Sequence, residues 1–305
     1  MVGGETMKTT DRKYGKKRFF NNDRVFNLIN VSLIVVLVIM VLYPLFYSLF
    51  ASVSSGRVVD SGRVIFFPQE ITFAAYGRVF RDTFFWRSYL NSISITFFGT
   101  VFSMFISLTG AYALSKKNLP GHRLFNFLLI FTMWFSAGMI PMFINFRDLG
   151  LLDSHFGLIV GFGMSAFNIV LLRGAYQGIP SELLEAAKID GASELNTFYK
   201  VCVPVIKPTI VTVSLMYAIN RWNGFFWAQI MLRNPNRVPL QVYLRRVIVE
   251  REMATEFAQN IAAVSYSHST IIYAIIIASM IPILIIFPYI QKFFKKGIMD
   301  GGVKE

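Results

Sequence analysis

The residues best equipped for chemistry crowd into one window, Asn220-Arg221-Trp222-Asn223-Gly224-Phe225-Phe226-Trp227, inside a long apolar run from Thr209 to Ile230. A guanidinium at such a depth costs several kcal/mol if it faces lipid, about 2.5 to 3.5 even on the lenient insertion scale, so Arg221 must face something polar. Two readings stand side by side. In one, Arg221 borders a water-filled cavity and attracts a carboxylate. Trp222 and Trp227 then offer ring faces to the C–H groups of a hydroxylated ring, and Asn220, Asn223 and Asn168 from an earlier run hydrogen-bond its hydroxyls. In the other, Arg221 makes an ion pair or a backbone-carbonyl contact with a neighbouring subunit.

A second polar stretch, Glu185 to Pro208, reads EAAKIDGASELNTFYKVCVPVIKP and stands as an island between apolar runs. Pro180 and Ser181 suit the opening of a helix, and Glu182 and Glu185 suit its positive end. From Ser181 to Asp190 such a helix extends about 15 Å, with Leu183, Ala186 and Ala187 along a partly apolar side. Gly191 can stop it in a left-handed turn, and Asp190 or Ser193 can cap a second helix through Glu194 and Phe198. Pro204 and Pro208 then end that second helix. By pattern alone this is an amphipathic hairpin at a membrane surface.

The elements that position both stretches are apolar. Hydrophobic residues make up 54% of the 305, charged ones only 15%, phenylalanine numbers 31, and the mean hydropathy is +0.53. This composition excludes a soluble globule. Uncharged runs fall at about Val25–Val53, Tyr89–Leu114, Leu124–Phe146, Leu158–Leu172, Thr209–Ile230 and Thr270–Ile290. Six transmembrane helices in an all-α membrane protein follow, near the roughly 20 residues that cross a bilayer; the short fourth run must extend toward His155 or Gly174. Residues 1–24 form a basic tail, residues 25–290 the membrane domain and residues 291–305 a second tail.

Lysine fixes the orientation: Lys116, Lys117, Lys188, Lys200, Lys207 and Lys292 share one side with the N-terminal lysines, while the opposite loops carry only arginine. Both termini and the 180–208 stretch are therefore expected in the cytoplasm. The net charge of +13 is explained by topology and anionic lipid, since no nucleic-acid motif accompanies it. Cys202 is the sole cysteine and the three histidines are scattered, so no intrachain disulfide and no metal motif is expected.

The spacing of Glu185, Ala186, Ala187, Asp190, Gly191, Ala192, Phe198, Pro204 and Pro208 resembles the EAA signature of permease subunits of binding-protein-dependent ABC importers. The resemblance runs from Arg24 to the C-terminus. It is nearest to the maltose-type carbohydrate permeases, in the branch serving oligosaccharides and polysaccharide fragments, through Gly138 to Pro141, Ser165 to Asn168, Trp222 and Asn223, and a tail from Gln291 to Lys304. It implies a type I ABC importer permease fold in the bacterial cytoplasmic membrane. Glu185 to Ala187 and Asp190 to Ala192 would then form a coupling helix that docks in a groove of an ATPase. The implied partners are a second homologous permease, two ATPase subunits that bind ATP and Mg, and an extracellular or periplasmic solute-binding protein. The implied cargo is a saccharide, and Arg221 favours an acidic one containing uronate or sialate.

The chain itself has no G-x-x-x-x-G-K-[ST] phosphate cradle and no nucleophile constellation, so it is not expected to be an enzyme or to bind a cofactor. An importer permease for a non-sugar solute is the nearest alternative. An ion-coupled secondary transporter needs acidic or histidine relays at span depth, and no Asp or Glu interrupts the six runs. A membrane-embedded enzyme lacks its cluster of polar groups, and a scaffold leaves the EAA spacing unexplained.

Overall fold

The computed structural model describes residues 22–257 and 267–302, and it is helical. The first basic residues and the last three, Val303 to Glu305, lie outside the described residues, so the expected cytoplasmic tails are only partly represented. The chain divides into two compact units, Met1–Tyr47 and Ser48–Glu305. The described part of the first is the bulk of α1 (Asn22–Ser52), an apolar helix that continues through Pro44.

In the second unit the order is α2 (Gly56–Asp60), α3 (Ala74–Arg81), α4 (Thr83–Ser115), α5 (His122–Trp134), α6 (Met139–Asp148), α7 (His155–Gly161), α8 (Ala166–Gln177) and α9 (Ser181–Ile189). There follow α10 (Glu194–Asn196), a π-helical stretch (Thr197–Cys202), α11 (Val203–Val205), α12 (Lys207–Asn223), α13 (Phe226–Met231), a 3-10 turn (Pro235–Arg237), α14 (Leu240–Phe257) and α15 (His268–Gly302).

Among the described residues three helices are long and apolar enough to cross a membrane: Val25–Ser52, Thr83–Ser115 and His268–Pro288. Three more candidates are bent pairs: α5 with α6 at 118°, α7 with α8 at 50°, and Glu194–Val205 with α12 at 82°. The all-α, multi-span expectation matches this architecture. The apolar runs differ in being broken. Between α5 and α6 the chain passes Gly138 at φ +87°, a conformation open to glycine, and Pro141 sits in the first turn of the restarted helix. The short fourth run extends at both ends, from His155 to Gln177.

Helix α4 is the hub. Its buried face carries Ser88, Ser92, Gly99, Ser103, Ser107 and Ala111, small residues four or seven apart that let neighbouring backbones come close. Serines on this face also supply polar links. Ser92 Oγ accepts from Leu240 N at 2.8 Å, and Ser107 Oγ pairs with Tyr217 Oη at 2.7 Å, which itself accepts from Ser165 N at 3.0 Å. One helix thus joins α8, α12 and α14 where lipid provides no hydrophobic drive for helices to associate.

In the first turn of α4, Phe84 is exposed, but Phe85 is buried and touches Trp86, Tyr89 and Tyr243. Asp82 caps α4 by accepting from Phe84 N at 2.8 Å and accepts from Tyr243 Oη at 2.6 Å.

Candidate functional site

Two sites occupy opposite ends of α4. At its N-terminal half lies a cavity of about 420 Å³, lined by Ser92 and Ile95 of α4, Leu158 and Phe162 around α7, and the break between α12 and α13. That break sits at Gly224 and arises because α12 ends at Asn223 and α13 restarts at Phe226. Of the residues expected to line a path, Asn220, Arg221, Asn223 and Trp227 border this cavity, together with Phe225 and Phe226.

Trp222 and Asn168 are not among its lining residues. Trp222 is 6% exposed and packs with Tyr89 and α15, and its indole N–H donates to Ser279 O at 3.1 Å. Asn168 is buried on α8, just past the Ser165 cap. Trp227 sits in an aromatic cluster, its ring centre 5.9 Å from Phe146 and 5.4 Å from Phe162.

Arg221 makes backbone-carbonyl contacts within its own chain. Its Nη2 donates to Ser103 Oγ at 2.9 Å, Phe162 O at 3.0 Å and Ile159 O at 3.1 Å, and Nη1 donates to Leu158 O at 3.3 Å. These carbonyls close the C-terminal end of α7, where four backbone acceptors lack an intrahelical partner and the helix dipole is negative. The guanidinium lies against Gly99, and a Cβ there would come within 2.5 Å of it. Arg221 therefore ties α12 to the broken α7–α8 segment across α4, and a fork of several donors is the chemistry this joint requires.

At the other end of α4 is the polar hairpin. Helix α9 stops as expected: Gly191 adopts φ +75°, its N–H donates to Lys188 O, and Ala192 N donates to Ala187 O at 2.9 Å, the pair of bonds of a Schellman turn. Of the two candidate caps it is Ser193 that caps the second arm, accepting from Asn196 N. Asp190 is instead the C-cap of the first. Pro204, lacking an N–H, sits inside α11 rather than ending the arm, which passes through π-helical turns before bending 82° into α12.

Ala187 is buried, while Glu185, Ala186, Asp190 and Gly191 are exposed. Ile189 and Leu195 flank the turn at 87% and 71% exposure.

A strap that sequence reasoning missed fixes this hairpin to α4. Glu194 accepts from Tyr112 Oη at 2.6 Å and pairs with Lys116 Nζ at 3.2 Å, and Phe198 packs against Tyr112 and Tyr176. These hydrogen bonds, Tyr112's first, hold the Glu194 carboxyl below its ordinary range. A depressed carboxylate contributes stability above its unfolded value and loses it as the pH falls through the folded one, so the strap is complete at neutral pH. Because Glu194 is largely exposed, Glu194→Gln is expected to cost no more than about 1 kcal/mol. Thermal melts should show that small loss at pH 7 and a shrinking one as the pH falls below the ordinary carboxylate range and the wild-type carboxyl takes up its proton.

At the cavity end, Asp153 organises the loops. It accepts from Arg233 N and Asn234 N, both at 3.0 Å, and pairs with Arg237 at 3.2 Å. The Asn234 bond, then that from Arg233, lowers its carboxyl.

A family model described as "binding-protein-dependent transport system inner membrane component" matches residues 99–300. The chain belongs to this family. The permease is 37% identical to the polygalacturonan/rhamnogalacturonan transport system permease protein YtcP of Bacillus subtilis (strain 168), over 92% of its own length and 99% of the relative's. It is 34% identical to Protein LplC of the same organism, over 92% and 95%.

Among solved structures it resembles a chain of a bacterial ABC transporter involved in the import of the acidic polysaccharide alginate. That match has 46% identity and a TM-score of 0.83, covering 90% of the permease and 98% of that chain. A second chain, from an alginate ABC transporter in complex with an alginate pentasaccharide-bound periplasmic protein, shares the fold at 14% identity and TM-score 0.61. The permease is a non-catalytic translocation subunit of an ABC importer, a multi-pass helical protein of the bacterial inner membrane.

Proposed function

We propose that this permease forms the transmembrane half of a carbohydrate ABC importer whose cargo is an acidic oligosaccharide handed over by a solute-binding protein. The carrying observation is the cavity at the α12–α13 break, where Asn220 and Asn223 offer amides and Phe225, Phe226 and Trp227 offer aromatic faces. A sugar needs both: hydrogen bonds for its hydroxyls and flat apolar surfaces for its C–H faces. The relatives support the charge, since the transporter of the 46% identical chain imports acidic alginate and the 37% identical relative is named for polygalacturonan, a polymer of uronic acid.

The machine around it follows. Six spans, three of them bent, cross the membrane on this reading, and the lysine distribution supports both termini and residues 180–208 on the cytoplasmic side. A second permease completes the path, and two ATPase subunits bind ATP and Mg. Glu185, Ala186, Ala187, Asp190, Gly191 and Ala192 form the coupling element, and the exposed Ile189 and Leu195 supply apolar anchors for a groove in the ATPase.

The strap to Tyr112 and Lys116 and the 82° bend into α12 give this element two grips. Both α4 and α12 line the cavity at their far ends. ATPase closure that swings the hairpin therefore moves two cavity walls, which is the displacement alternating access requires.

The test is uptake of a labelled oligouronide and a neutral oligosaccharide by cells carrying the complete importer, with and without this gene. Gene-dependent uptake of the acidic sugar is expected. Gene-dependent uptake of only neutral sugars, or of another solute class, refutes the cargo.

A further inference from the structure

The acidic-cargo reading requires a cation at the cavity, and Arg221, although it borders the cavity, directs both of its terminal nitrogens to α7 carbonyls and Ser103. Other arginines near this end of α4 are also engaged. Arg87 bonds Asn236, Arg237 holds Asp153, and Arg147 pairs with Asp148. Arg245 differs. It is exposed on α14, no ion pair involves it among the described residues, and its guanidinium lies 5.4 Å over the ring of Phe225, a residue of the cavity wall. A guanidinium stacked on an aromatic face has its planar edge free, and that edge matches a carboxylate with two parallel hydrogen bonds.

We propose that Arg245, held at the cavity rim by Phe225, is the residue through which this permease selects carboxylate-bearing oligosaccharides. The proposal rests on the acidic-cargo reading and names its specificity determinant. Phe225 serves twice: it lines the cavity, and its ring positions the cation. The charge stays at the rim, in contact with water, so a carboxylate can be met without the full desolvation penalty of a buried ion pair and released again as the cavity turns over.

The experiment uses the complete importer in lipid nanodiscs with its binding protein, and two probes: a trigalacturonate and its fully methyl-esterified, neutral counterpart. Rates over a concentration series give kcat/KM for each. The same binding protein serves wild type and variants, so its own preference cancels between them.

The acid-over-ester preference of the wild type is expected to fall about tenfold in Arg245→Gln, the size of one charged contact of about 1.4 kcal/mol. Arg245→Lys, which keeps the charge but not the fork, should fall between. Phe225→Leu should lower the preference while Arg245 is present and add little once it is gone. A wild type that favours the acid with that preference intact in Arg245→Gln overturns the role of Arg245 and leaves the cargo reading standing. A wild type that handles acid and ester equally overturns both.

Discussion

Arg221→Ala is expected to destabilise the permease by about 3 kcal/mol or more and to abolish uptake of acidic and neutral oligosaccharides alike. The side chain makes four hydrogen bonds, three to carbonyls at the end of α7. Bonds to a charged group are worth about 1.5 to 3 kcal/mol each, and carbonyls left buried without a donor add their own cost. Lysine cannot substitute, because a single ammonium cannot reach three carbonyls and a hydroxyl that a planar fork spans.

Gly99→Ala attacks the same joint from the other side, since the new methyl would stand 2.5 Å from a guanidinium that its bonds prevent from moving. The two changes should be strongly non-additive: once Arg221 is gone, Gly99→Ala should cost little. Thermal melts of the four proteins in detergent give this cycle, and uptake assays give the second readout. A selective loss of acidic cargo with unchanged stability would instead make Arg221 a cargo ligand.

The second large effect is expected at Trp222. Truncation to alanine empties a site enclosed by Tyr89, Leu240 and α15, and removal of a buried Trp costs about 3 to 5 kcal/mol. Trp222→Phe keeps most of the contact and forfeits the bond to Ser279, for about 1 kcal/mol. Because the ring packs away from the cavity, both variants should lower the melting temperature while the KM of the protein that remains folded stays constant. A rise in KM without a change in melting temperature would place Trp222 on the cargo.

The window Asn220 to Trp227 announced a site through its polarity at membrane depth, and all its members but Trp222 do share a cavity. Separating Trp222 from Trp227 was within reach of helical geometry, since five residues at about 100° each put them some 140° apart even before the chain breaks at Gly224. The partner of Arg221 was not: it depends on where α7 stops, and an unbroken run of apolar residues hides its helix ends because hydropathy counts side chains and not backbone acceptors.

The turn at Gly191 and the cap at Ser193 were legible because both obey local rules. The strap from Tyr112 and Lys116 to Glu194 joins residues about eighty positions apart, and no local rule spans that separation. Its visible trace was the row of small residues on α4, Ser92, Gly99, Ser103 and Ser107, which marks that helix as the one others pack against.

The most direct test of the whole account is ATP hydrolysis by the assembled importer in lipid nanodiscs, with its binding protein and either acidic or neutral oligosaccharides. Stimulation by binding protein carrying an acidic oligosaccharide, lost in Glu185→Ala while the complex stays assembled, is the predicted result. Stimulation by neutral sugars or a non-sugar solute, with acidic oligosaccharides inert, would contradict it.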